Sequence, residues 1–393
     1  MPISAPDADA LAHSERLRAL IREQIAEGGG AIPFSRFMEL ALYAPGLGYY
    51  SAGATKFGAA GDFVTAPELG SLFAECVAGA AAPVLRQLGA AAEFVEIGGG
   101  SGRFAEDAIG RLLAIDAMPA RYAILEPSAD LRERQRAHLQ QCLAPAAFAR
   151  VAWLDGPPQA RWDGVLFANE VIDALPTPRF ALRDDEVFEE HVALGGDGGF
   201  VRIDRPADPL LTAAVRHVER QLDAPFADGY RSELLPQLPY WLQAVIGGLD
   251  RGALLFIDYG YPRREYYRPQ RRDGTLRAFH RHQLVEDVLA RPGLQDLTAS
   301  VDFTALAEAG TGAGFDFAGY CTQANFLLGN GLPERLAEHE VRAGDEAGRY
   351  ALRQQVKTLT LPDAMGERFQ AMGFARGVAF DHAFLAGDLG HRL

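Results

Sequence analysis

Glu93-Phe94-Val95-Glu96-Ile97-Gly98-Gly99-Gly100-Ser101-Gly102-Arg103-Phe104 is the stretch that decides the fold of this 393-residue chain. Residues 93–97 read as a strand, and from 104 to 115 apolar residues recur at helical spacing, so the glycines sit at a strand-to-helix turn. Glycine there permits the positive φ of a tight turn and lets a ligand approach the backbone closely. A dinucleotide fold wants G-x-G-x-x-G, and counting from Gly98 and Gly100 the third glycine would fall on Arg103. The pattern present is E-x-G-x-G-x-G, fixed by Glu96, Gly98, Gly100 and Gly102, and no G-K-S/T follows as a phosphate loop would need. The next strand, 122–125, ends at Glu126, where an acidic side chain can bind both hydroxyls of a ribose. Together these features describe an adenosyl ligand without a pyrophosphate, of which S-adenosyl-L-methionine is the common one. The competing reading is a plain glycine-rich turn with a surface glutamate, and Glu126 at the strand tip counts against it.

Outward from the turn, strands at 93–97, 122–125, 165–168 and 253–257 alternate with helices at 104–115 and 129–141. Continuous apolar strands between amphipathic helices predict an α/β fold with a parallel sheet covered on both faces. Upstream, Leu17, Leu20, Ile21 and Ile25 form a helical stripe stopped by Gly28-Gly29-Gly30, and 34–43 reads as a second helix. An irregular Gly-, Tyr- and Phe-rich stretch follows to Phe63, and Thr65 to Glu68 has capping-box spacing that would open the next helix. Residues 179–194 read as a strand pair turning at Asp184-Asp185, and 209–247 as two helices in an insertion above the sheet. The expected organisation is a helical segment and cofactor-covering loop (1–66), the first part of a Rossmann-like core (67–200), a helical insertion on the substrate side (201–250), and the rest of the core with C-terminal elements (251–393).

Composition narrows the function classes. With 48% hydrophobic and 23% charged residues the chain is globular rather than disordered. A net charge of −14 argues against a nucleic-acid partner. Cys76, Cys142 and Cys321 are odd in number and far apart, which fits a reducing, cytoplasmic compartment better than a disulfide framework. The longest apolar run, residues 76–85, is too short to span a bilayer. No signal peptide is visible, and Asp7 and Asp9 fit poorly with a mitochondrial presequence.

The fourth strand delivers Asn169-Glu170-Val171-Ile172-Asp173-Ala174-Leu175-Pro176 at its carboxyl end, and the fifth ends in Asp258-Tyr259-Gly260. Open α/β sheets bind ligands in that crevice, although each polar residue taken singly could be a helix cap or a turn. With these blocks, Phe37 to Tyr43, Gly48-Tyr49-Tyr50, Gly61 to Glu68, Glu96 to Gly102, Gly274-Thr275-Leu276, His282, Asp296-Leu297-Thr298, Val301 to Thr304 and Met365 to Phe369, the chain resembles the MidA-like family of S-adenosylmethionine-dependent methyltransferases over about residues 30–375. The resemblance implies a class I methyltransferase fold, a mostly parallel seven-stranded sheet with one antiparallel strand. It also implies that Gly61, Asp62 and Phe63 fold over the cofactor. Mitochondrial members are assembly factors for respiratory complex I that methylate a protein arginine, which makes a protein substrate the expected partner.

A guanidinium is cationic at any working pH and its nitrogens are poor nucleophiles. Carboxylates gripping two of them leave the third more nucleophilic and fix its direction. Glu170 and Asp173 are the candidates for that grip, Asp258 a possible third member, and Asn169 an orienting group for the acceptor or the methionine part of the cofactor. His282, on the family motif, is a candidate for holding or relaying a proton. A metal shared by His280 and His282 lacks an evident third ligand, so no metal is expected. The five arginines of 263–272, interleaved with Tyr266 and Tyr267, could engage RNA, but on this acidic chain a solvated loop or a lid near an acidic protein fits better. Two other functions stay open: a small-molecule or nucleic-acid methyltransferase, since a fold does not fix the acceptor, and a cofactor-binding assembly protein with little turnover.

Overall fold

The computed structural model describes residues 7–51, 65–280 and 283–393. The chain divides into two compact units: one made of 64–171, 238–260 and 303–393, the other of 1–63, 172–237 and 261–302.

The first is a sheet unit. Among its described residues seven strands pair: β1 (Glu93–Ile97), β2 (Arg121–Leu125), β3 (Val151–Leu154), β4 (Trp162–Asn169), β5 (Leu249–Tyr261), β6 (Asp316–Thr322) and β7 (Phe369–Arg376). Their order is β3-β2-β1-β4-β5-β7-β6, with β7 antiparallel to both neighbours and the other pairings parallel. This is the class I methyltransferase arrangement that the family resemblance implied. Register does the positioning. Ile97 pairs with Leu125 and with Ala168, and Asn169 with Ile257, so the carboxyl ends of four strands are level. Glycine loop, Glu126, Glu170 and Asp258 therefore emerge at one end of the sheet.

Both faces of the sheet are covered, as the unbroken apolar strands require. Helix α1 (Leu72–Leu88) is rich in alanine and almost wholly buried, and it runs on through Pro83. Helix α2 (Arg103–Ala114) stacks Phe104 on Phe167 of β4 at 4.5 Å between ring centroids. Helix α3 (Ala129–Cys142) is capped by the Ser128 hydroxyl, which accepts from the Leu131 N–H. The capping box expected at Thr65 is absent. Residues Ala66–Leu69 form a single 3-10 turn without a side-chain cap, Gly70 at φ 142° breaks it, and the Glu68 carboxylate takes the Ser101 hydroxyl instead.

The other unit is antiparallel. Strands Arg179–Arg183 and Glu186–Leu194 form the expected hairpin, and Asp184 and Asp185 both take positive φ (49° and 63°), the signature of the tight turn that matches strand twist. Ala31–Pro33, Phe200–Pro206 and Arg231–Glu233 extend that sheet, and Arg277–His280, Gln283–Val285 and Asp296–Thr298 make a smaller one. Helices Ala8–Glu27 and Phe34–Tyr43 bury the predicted stripes, Leu17, Ile21 and Ile25 among them. The purely helical insertion expected at 201–250 does not hold: strands lie in it beside helices Pro209–Glu219 and Leu238–Ile246, and those helices belong to different units. The arginine-rich stretch is also less exposed than its composition suggests. Arg263 is buried and donates to Asp302 at 3.0 Å and to Gln221, Arg271 lies over the Tyr261 ring, and Tyr266 and Tyr267 are buried. Among the described residues no helix is long and apolar enough to cross a membrane.

Candidate functional site

In the sheet unit the chain leaves β1 through Gly98, Gly100 and Gly102, all at positive φ (71°, 52° and 89°). Gly99 between them has no room for a side chain: a Cβ there would meet Ile124 at 2.7 Å and Gln135 at 3.1 Å. The loop is a bare backbone cradle, and α2 begins directly from Gly102. Beside it, Glu126 is 6% exposed at the tip of β2. Its Oε1 accepts from the Ser128 N–H at 3.0 Å and its Oε2 from Gln135 Nε2 at 3.2 Å. Burial raises its pKa above the usual carboxylate range, against those two hydrogen bonds. The Gly100 N–H is a third donor to it, and of the roughly four acceptor positions a carboxylate offers, one remains for a ribose hydroxyl. Cradle and carboxylate fit an adenosyl cofactor, as the sequence reading expected.

Gln135 carried no sequence signal and yet ties the site together. Its Nε2 also donates to the Gly100 carbonyl at 3.0 Å, and its Oε1 accepts from Trp153 Nε1 at 2.9 Å. One fully buried amide thus fixes the loop, the carboxylate and β3.

Glu96 is nearly inaccessible and accepts a 2.7 Å hydrogen bond from the Tyr122 hydroxyl. Burial pushes its carboxyl up to about 8, with the Tyr122 bond opposing and the Glu126 charge adding to the rise. Below the ordinary value of 4.5 the group is protonated in folded and unfolded chains alike; between 4.5 and about 8 the unfolded chain alone ionises. Stability from this group is therefore complete below 4.5 and is lost as pH rises toward 8. Glu96→Gln keeps an acceptor for Tyr122 and removes that titration. Denaturant midpoints of ligand-free protein at pH 5 and pH 8 should differ less in the variant than in the parent, and an equal difference would show that another group titrates.

At the tip of β4, Asn169 Nδ2 donates to Glu170 Oε1 at 3.0 Å, and Asn169 Oδ1 is buried without a partner among the described residues. Glu170 holds φ 53°, an uncommon conformation for a side chain without local compensation, and its N–H is taken by the Ile257 carbonyl at 2.9 Å. The tip is close to the cradle, since a Cβ on Gly98 would meet Val171 at 3.0 Å. Asp258 accepts from the Val171 N–H at 3.3 Å and the Tyr259 N–H at 2.9 Å and is 1% exposed. These bonds hold the backbone at the ends of β4 and β5 in shape.

Asp173 belongs to the other unit, into which the chain passes between Val171 and Ile172. There it lies 5% exposed, its carbonyl accepting from Ala299, while the next carbonyl, Ala174, accepts from the Tyr43 hydroxyl at 2.9 Å. Tyr43 stacks on Tyr50, whose hydroxyl donates to Asp296 at 3.0 Å. Burial first, then the charge of Asp296, the Tyr43 ring and Asp173, drives the Tyr50 pKa well above its usual value. Two carboxylates, Asp173 and Asp296, and a tyrosine wall gather here, and the only sequence signal for Asp296 is its place in the block Asp296-Leu297-Thr298. His280 hydrogen-bonds the Leu294 carbonyl through Nδ1 at 2.6 Å, a packing role. Gly61, Asp62, Phe63 and His282 lie outside the described residues.

Residues 76–321 match the model of a family described as "Putative S-adenosyl-L-methionine-dependent methyltransferase". A crystal structure from Burkholderia thailandensis bound to S-adenosyl-homocysteine superposes with a TM-score of 0.91 at 42% identity, covering 99% of each chain. The Drosophila melanogaster protein named "Protein arginine methyltransferase NDUFAF7 homolog, mitochondrial" is 28% identical over 97% of this chain and 90% of its own. The Danio rerio protein arginine methyltransferase NDUFAF7 is 27% identical over 87% and 82%.

Proposed function

Because the chain belongs to the MidA-like family of S-adenosyl-L-methionine-dependent methyltransferases, we propose that its methyl acceptor is an arginine nitrogen of a protein. The observation that carries this reading is the similarity, over nearly the whole chain, to relatives named protein arginine methyltransferases. The family resemblance further nominates a subunit of respiratory complex I as the acceptor, and the three widely spaced cysteines nominate a reducing, cytoplasmic compartment as the place of action.

S-adenosylmethionine, when bound, supplies an electrophilic methyl group on a sulfonium. The protein's own tasks are orientation and exclusion of water, and orientation alone contributes roughly 7–11 kcal/mol to such displacements. Glu126 holds a ribose hydroxyl, and Gly98, Gly100 and Gly102 bring backbone against the cofactor. Glu96 backs the loop through Tyr122, and Gln135 locks loop to carboxylate. Gly61, Asp62 and Phe63, outside the described residues, are assigned to covering the cofactor by the family resemblance alone. Glu170 faces the acceptor and concentrates its positive charge on the gripped nitrogens; Asn169 orients Glu170 through its amide. Asp173 is proposed as a second carboxylate of the grip, and His282 as the group that holds the departing proton. Asp258 acts through the backbone after β4, as a positioning residue.

Glu170→Gln is expected to lower turnover about 10²–10³-fold with cofactor affinity unchanged, the signature of charge stabilisation confined to the acceptor. Full turnover in that variant would remove Glu170 from the grip. The reaction class itself is tested with methyl-labelled S-adenosylmethionine, purified protein and a lysate from cells lacking the gene. Label on arginine in one protein band is the expected result. Label in RNA or a metabolite would overturn the acceptor, and cofactor binding without label would favour an assembly role.

A further inference from the structure

Helices α2 and α3 of the sheet unit bring together three side chains outside the cofactor site: Glu106 in the first turn of α2, and His138 and Cys142 at the end of α3. His138 and Cys142 are four residues apart and so share one helix face. His138 Nε2 lies 2.7 Å from Glu106 Oε2, and its Nδ1 lies 3.9 Å from the Cys142 sulfur. One potential ligand atom from each residue lies within 4.8 Å of the other two. Ligands bound to one zinc ion at about 2.0–2.3 Å in a tetrahedron stand roughly 3.3–3.8 Å apart, so a side-chain adjustment of about an ångström closes the set.

We propose that Glu106, His138 and Cys142 form a site for a divalent transition metal of the zinc class, with the fourth position open to water. Oxygen, nitrogen and sulfur in one set favour a borderline-soft ion over magnesium or calcium, which take oxygen. Without metal, protons hold the cluster: the imidazole bridges carboxylate and thiol by hydrogen bonds. A cation takes their place. The metal–sulfur bond forms as the S–H bond breaks, and the proton leaves to solvent.

The position ties the site to the fold's working end. Gln135, one turn before His138 on α3, holds Gly100 and Glu126, and a Cβ on Gly102 would meet the His138 ring at 3.5 Å. A metal here staples α2 to α3 on either side of the glycine loop.

The test uses the full chain, stripped of metal with a chelator and titrated with Co2+ as the probe. One Co2+ per chain should bind with a near-ultraviolet thiolate-to-cobalt absorption band that Zn2+ abolishes by displacement. Cys142→Ser should lose the band, and His138→Ala should weaken binding about ten-fold or more. Cys142 is exposed, so its serine variant should fold, which unchanged helical circular dichroism checks. Absence of Co2+ binding, a bound spectrum without the thiolate band, or a band that survives Cys142→Ser would each overturn the site, the last assigning the ion to Cys76 or Cys321.

Discussion

Glu126→Gln is expected to weaken S-adenosylmethionine binding roughly a hundred-fold. The wild-type carboxylate keeps an acceptor position for a ribose hydroxyl, with charge assistance, after its bonds to the Ser128 N–H, to Gln135 and to the Gly100 N–H are counted. The amide keeps one acceptor oxygen, and its NH2 faces groups that are themselves donors. Losing one charged acceptor and gaining a donor clash costs about 2.8 kcal/mol, which is the hundred-fold figure. Calorimetric titration with S-adenosylhomocysteine measures it directly. An affinity within about three-fold of the parent would mean that Glu126 organises the loop without touching the ribose.

The second large effect is on stability and lies in the other unit. Arg179 is 1% exposed and fully enclosed by acids: Glu190 at 3.1 Å, Asp273 at 2.5 Å, and Glu233. Burial alone would lower its pKa, but Glu233, Glu190 and Asp273 outweigh it and hold the guanidinium charged. Arg231 extends the network by bonding Asp204 and Glu190. Arg179→Met fills similar space and leaves Glu190 and Glu233 buried without their main counter-charge. The expected loss is about 3–5 kcal/mol, read from the denaturant transition of this unit. Replacing Arg179, Glu190 and Glu233 together by apolar residues should recover most of that loss. A single variant that loses less than about 1 kcal/mol would show that water or the neighbouring Arg231 takes over the charges.

The elements that carry the candidate cofactor residues are legible in the sequence because local chemistry dictates them. A strand, alternating glycines and an acid at the next strand tip are each short-range signals, and the parallel register then aligns them. The contacts that spacing does not reveal depend on pairs distant in sequence. Gln135 lies mid-helix with no motif around it, and its three partners come from the loop, β2 and β3. Arg179 meets acids 11, 54 and 94 residues away. Glu106 and His138, 32 residues apart, are joined only by the packing of α2 on α3. Two local rules also lost to tertiary competition. Thr65 and Glu68 have the spacing of a cap, but Ser101 took the glutamate. Apolar stripes in 209–247 announced helices correctly, whereas the three-residue strand Arg231–Glu233 between them is too short to show a period. The strand-end position of Asp258 is legible in the sequence, whereas its bonds to the Val171 and Tyr259 N–H groups depend on the packing of β5 beside β4.

The strand order has a consequence for synthesis on the ribosome. β6 lies at the sheet edge and pairs with β7, and β7 lies between β5 and β6. β7 is made last, from residue 369 of 393. Until then β6 has no neighbour and β5 presents an unsatisfied apolar edge for more than a hundred residues of elongation. At roughly 5–20 residues per second this open interval lasts about 5–20 s, during which the nascent edge is a template for foreign strands. Chain termination anywhere before β7 leaves that edge permanently open to foreign strands.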